Sequence, residues 1–102
     1  MSDSIDILTA KQAEEKIREI NRLGSVKFLP HCKQRMKEKR YEAPDIDLIL
    51  SKGRVNKPPE YNEKHGQWKC EVEGNAIEGD KATLVVAIVS HRELACITIM
   101  PK

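Results

Sequence analysis

The sequence predicts an α+β domain, with N-terminal helices packed on one face of a C-terminal antiparallel sheet of about three to four strands. Three observations carry that reading. Apolar residues recur at helical spacing before Lys52, they alternate with charged residues from Trp68 to Glu73, and they run almost without interruption through Thr83–Val89 and Leu94–Met100. At 102 residues the chain has the length of one domain. Residues 1–24 read as a helical extension and residues 25–102 as the core. Hydrophobic residues make up 39% and charged residues 33%, which suits a globular chain, and aromatics are only 4%, so the core must be aliphatic.

Each element has its own signals. Thr9 and Gln12 stand at capping-box spacing, in which each side chain satisfies a free backbone donor. Ala13, Ile17, Ile20 and Leu23 follow as an apolar stripe, and Gly24 marks the stop. Val26–Leu29 is a short extended segment ended by Pro30. Proline opens a helix readily, because the first helical N–H has no partner in any case, and this helix runs to about Lys39. Ala43–Lys52 is a third helix, with Pro44 in its first turn, Ile46, Ile49 and Leu50 on its apolar face and Gly53 as its stop. The Pro58–Pro59 pair excludes a central strand, so Arg54–Asn62 is an edge strand or a loop. Trp68, Cys70 and Val72 alternate with Lys69, Glu71 and Glu73, as in a strand buried on one face. Thr83–Val89, apolar and β-branched, reads as a central strand covered on both faces. Ser90–Glu93 is a tight turn into the last strand.

The formal net charge is +2, from eighteen Lys and Arg against sixteen Asp and Glu. It is unevenly placed. Residues 1–24 carry −1 and residues 41–102 carry −2, whereas Ser25–Arg40 holds six basic residues and one acidic, a net of +5. A local basic patch attracts polyanions even where the total is small. No apolar run reaches the roughly 18 residues of a membrane span, and Met1–Ile7 lacks the pattern of a signal peptide. Cys32, Cys70 and Cys96 are odd in number and without a CxxC pair, so a disulfide framework is not expected and a reducing cytoplasm is the expected location. Together with His31 and His91 these thiols match no zinc-ligand spacing, and no metal or other cofactor is expected.

On a wheel of 100° per residue, the helix from Pro30 to Lys39 has two basic features. Lys33, Lys37 and Arg40 form an outer face suited to a phosphate backbone. His31, Arg35 and Glu38 form a row bordering the apolar stripe of Cys32 and Met36. In the functional reading His31 is the general acid or base, Arg35 holds phosphate and Glu38 orients either. In the plain reading Arg35 and Glu38 are an ordinary helix pair and His31 packs at the helix start. His65 lies in a polar loop. His91 and Arg92, in the last turn, complete an RNA-binding site if that turn folds back beside the helix. No phosphate loop, Walker motif or GxSxG is present. A nuclease here would work without a metal by activating the ribose 2′-OH, which restricts it to RNA.

The pattern Phe28-x-x-His31-Cys32-x-x-Arg35-Met36-x-Glu38, followed by Asp45-Ile46 and Ile49-Leu50-x-x-Gly53, resembles the bacterial family catalogued as domain of unknown function 4258. Its members read roughly F-x-x-H-A-x-x-R-M-x-E-R-G-I, then D-V-x-x-V-L-x-x-G, and close on a strand pair that Leu84–Val89 and Cys96–Ile99 resemble. Lys39, Arg40 and Tyr41 depart from it, where Arg, Gly and an aliphatic residue are usual. The resemblance implies a layout similar to RelE-like and BrnT-like toxins, which are ribonucleases countered by an antitoxin. The leading expectation is therefore a toxin-like RNA-binding protein or metal-independent ribonuclease, with RNA or the ribosome and a cognate antitoxin-like protein as partners. The competing one is a non-enzymatic protein-interaction module. A small-molecule or metal-binding role has only scattered His and Cys behind it.

Overall fold

The first helix begins with a reciprocal cap: the Gln12 N–H donates to the Thr9 hydroxyl at 3.1 Å, and the Thr9 N–H donates to the Gln12 side chain at 3.0 Å. The structure, a computed structural model, describes residues 8–102. The reading of Met1–Ile7 as lacking a signal peptide lies outside the described residues. From this cap α1 (Ala10–Leu23) buries Ala13, Ile17 and Ile20. Leu23, expected on the same stripe, is 68% exposed. It falls roughly 60° past Ile20 around the helix, off the buried line.

The chain then passes through β1 (Ser25–Phe28), α2 (Pro30–Lys39) and α3 (Ala43–Lys52), and continues as β2 (Glu60–Asn62), β3 (Gln67–Asn75), β4 (Lys81–Ser90) and β5 (Glu93–Pro101). The two proline-opened helices take the bounds their punctuation predicts. α3 starts on Glu42, whose N–H donates to the Asp45 carboxylate at 2.8 Å, and it buries Ile46, Ile49 and Leu50. The other Asp45 oxygen accepts from the Ile77 N–H at 3.0 Å, so one carboxylate ties the helix start to the β3–β4 turn. At the far end Gly53 is needed for space. A Cβ there would meet the Ile49 carbonyl, and Val72 Cγ1 at 2.7 Å. α3 thus lies close against β3.

The sheet has five strands in the order β1-β5-β4-β3-β2. This corrects the expectation of three to four antiparallel strands. The two additional strands are edges of only four and three residues, too short to show an alternating period. The sheet is also mixed. β2, β3, β4 and β5 are antiparallel neighbours, but β1 runs parallel to β5, with Ser25 opposite Glu93 and Phe28 opposite Cys96. β1 arrives from the N-terminal side of the chain, so hairpin geometry does not set its direction.

All three helices share one core with one face of the sheet. Trp68, Cys70 and Val72 of β3, Leu84, Val86 and Ile88 of β4, and Leu94, Cys96 and Ile99 of β5 meet Ile17, Ile20, Cys32, Ile46, Ile49 and Leu50. β4 is central and buried on both faces, as expected: Leu84 and Val86 face the helices, and Val85 and Ala87 on the other face are buried too, with Glu71 and Lys69 of β3 and Thr98 and Ala95 of β5 beside them in register.

Candidate nucleic-acid interface

α2 is placed by its first residues. The Leu29 N–H donates to the Cys96 carbonyl at 3.0 Å, which fixes the start of the helix beside the middle of β5, and Pro30 takes its first position. Cys32 is buried and Met36 half-buried, so the predicted apolar stripe faces the sheet. Lys33, Lys37, Lys39 and Arg40 are all exposed. Among the described residues none of these four is ion-paired, whereas Arg18, Lys27, Lys57 and Lys102 each hold a glutamate.

The row of His31, Arg35 and Glu38 is brought together in part. Arg35 Nη1 stands 3.8 Å from Glu38 Oε1, and Gln34 Nε2 donates to Glu38 Oε2 at 3.2 Å, so both carboxylate oxygens face helix neighbours. Arg35 is half-buried. His31 is exposed, one turn nearer the helix start.

His91 and Arg92 lie elsewhere. Both are exposed in the β4–β5 turn, where the Arg92 carbonyl accepts from the Ser25 N–H at 2.9 Å. That turn is at the Glu93 end of β5. α2 starts beside Cys96, roughly 13 Å further along the strand at about 3.3 Å per residue, and its last residues share a groove with Pro101 and Lys102. The helix therefore leads away from the turn, and the fold does not set His91 and Arg92 beside the row.

That groove was missed in the sequence. It measures about 700 Å³ and lies between the α2–α3 corner, the β3–β4 turn and the end of β5. Lys39, Arg40, Tyr41, Asp45, Asp80 and Lys81 line it. Burial pushes the Tyr41 phenol above its ordinary pKa, and the Asp80 and Asp45 carboxylates add to the effect. Lys102 also lines the groove but is hydrogen-bonded to Glu73, whose carboxyl it holds below the usual carboxylate range with help from Asn56. The one local signal was at Arg40, which stands where the family pattern has Gly. Arg40 takes φ 63° and ψ 35°, in the left-handed region, and the Tyr41 N–H reaches back to the Met36 carbonyl at 2.8 Å to end the helix. This turn places Arg40 at the groove and Tyr41 in its floor.

The geometry defines a small α+β protein whose one strongly basic element is a surface helix pinned to the middle of β5. No group of His, Cys, Asp or Glu positioned to hold a metal ion occurs among the described residues, and no described helix is long and apolar enough to cross a membrane. The family described as Domain of unknown function (DUF4258) matches residues 28–101, and the chain belongs to that family. No match was found among curated proteins or among solved structures. The match brings no likeness to the RelE-like or BrnT-like toxins. It covers α2, α3 and the four strands β2–β5, and leaves α1 outside.

Proposed function

We propose that the chain is a toxin-like RNA-binding protein that meets the phosphate backbone with the outer face of α2. One observation carries the reading: Lys33, Lys37, Lys39 and Arg40 are exposed along α2 and its C-cap and free of acidic partners among the described residues. Unpaired cations release counterions from RNA at no cost in broken ion pairs. Arg35, beside them, supplies a guanidinium able to hold a phosphate once Glu38 lets go. RNA, free or within the ribosome, is the partner this face suits, and a cognate antitoxin-like protein would mask it with carboxylates.

Cleavage is the finer form of the proposal. His31 would take the 2′-OH proton, the 2′ oxygen would attack phosphorus, and the 5′ oxygen would leave with a proton returned by His31. The second reading, a protein-interaction module, is favoured by the local bonds of Arg35, Gln34 and Glu38, which need no ligand to explain them.

The test is binding to single-stranded RNA as a function of salt. The wild type is expected to show a steep logarithmic salt slope. The Lys33→Gln/Lys37→Gln variant is expected to flatten it by about 1.4, at roughly 0.7 per lost phosphate contact. A slope near zero in the wild type rejects RNA binding and leaves the interaction module. Cleavage in EDTA that survives His31→Ala removes His31 from the chemistry.

A further inference from the structure

Three buried thiols play no part in RNA binding. Cys70 of β3 and Cys96 of β5 both face the helices and sit opposite Val86 of β4 from its two sides. Two strand spacings put them about 10 Å apart, beyond the reach of a disulfide. Cys32 is placed differently. The hydrogen bond from Leu29 to the Cys96 carbonyl seats the start of α2 over residue 96, and three residues later Cys32 turns inward into the same buried cluster as Cys96. Both residues are fully buried in the core between helix and sheet.

We propose that Cys32 and Cys96 form an oxidisable pair that peroxide converts to a disulfide joining α2 to β5. The two sulfurs differ in role. Cys32 is the third residue of α2, where backbone N–H groups lack helical acceptors and the helix dipole favours a thiolate. Contact between the two thiols holds that of Cys32 below its ordinary pKa and, together with burial, pushes that of Cys96 up. Cys32 is thus the attacking thiol and Cys96 the resolving one.

The chemistry balances with hydrogen peroxide as oxidant. The Cys32 thiolate takes one peroxide oxygen, becoming the sulfenic acid as hydroxide leaves. The Cys96 sulfur then forms the S–S bond, and the sulfenic oxygen departs as water with the Cys96 proton. Two thiols are oxidised and one peroxide is reduced to two waters. Access comes through opening of α2, which buries only Cys32 fully and ends on the left-handed Arg40. Such an element opens at a lower cost than the whole domain. Once formed, the bond prevents that opening and holds the cationic helix on the sheet.

The full chain is treated with hydrogen peroxide and its thiols are counted after denaturation. The count is expected to fall from three to one, with a Cys32–Cys96 peptide in the non-reducing mass map and a melting temperature raised by about 5 °C or more. Cys70→Ala is expected to keep the cross-link. Cys32→Ala, which installs the residue usual in the family pattern, is expected to abolish it and leave both remaining thiols free. Three free thiols after treatment, a disulfide involving Cys70, or Cys32 over-oxidised without a cross-link each overturns the proposal. The thiol count of the wild type decides the matter even where a variant folds poorly.

Discussion

Arg40 carries a left-handed backbone conformation that a side chain makes costly, by about 1–2 kcal/mol. Glycine adopts it freely but loses more entropy on folding, which returns part of the gain. Arg40→Gly is therefore expected to stabilise the protein by about 0.5–1 kcal/mol, read as a higher urea midpoint with an unchanged slope. The same change removes one cation from the outer face of α2, so RNA binding is expected to weaken as stability rises. A residue kept at a conformational cost, with its charge over a groove, fits a binding role better than a packing one. In the sequence the departure from glycine was visible. The sign of φ was not, because it depends on how the chain turns from α2 into α3.

At the scale of the element, glycine has a different task. Gly53 ends α3 with an ordinary φ of −71°, and it is the contact with Ile49, Val72 and Glu73 that excludes a side chain. Gly53→Ala is expected to push α3 off β3 and cost about 1–3 kcal/mol, measured as a lower midpoint in chemical denaturation. The helices were legible because proline, glycine and the capping pair Thr9 and Gln12 mark their ends locally. The long strands were legible from alternation and β-branching. β1 and β2 were legible only as an extended segment and as an edge strand or loop, since three or four residues hold too little pattern and the pairing of β1 depends on a partner remote in sequence. The groove escaped for the same reason: Tyr41, Asp80 and Lys81 become neighbours only when the α2–α3 corner meets the β3–β4 turn. Charge clustering singled out α2 without help from the fold, but where His91 and Arg92 would land needed the parallel register of β1 on β5.

For the whole molecule the decisive fact is that one core serves all the elements. The family match begins at residue 28, yet Ala13, Ile17 and Ile20 of α1 lie in the same buried cluster as Ile46, Leu84 and Ile99. Polar ties reinforce the packing. Arg18 donates to the Gly53 carbonyl at 3.0 Å, and Glu14 accepts from the Val55 N–H at 2.9 Å. Removing residues 1–23 is expected to abolish cooperative unfolding, with exposed apolar surface detected by dye binding. α1 thus lies outside the family match but inside the shared core.

The pairing of β1 with β5 bears on how the protein is made. Ser25–Phe28 leaves the ribosome 68 residues ahead of its strand partner Glu93–Cys96, the difference between 25 and 93. Until then α1, β1 and α2 have half of their core missing and β1 has an open edge. The domain cannot be built up in the order of translation; it closes in one late step, and the nascent chain depends on holding its early segments apart from other chains until that step.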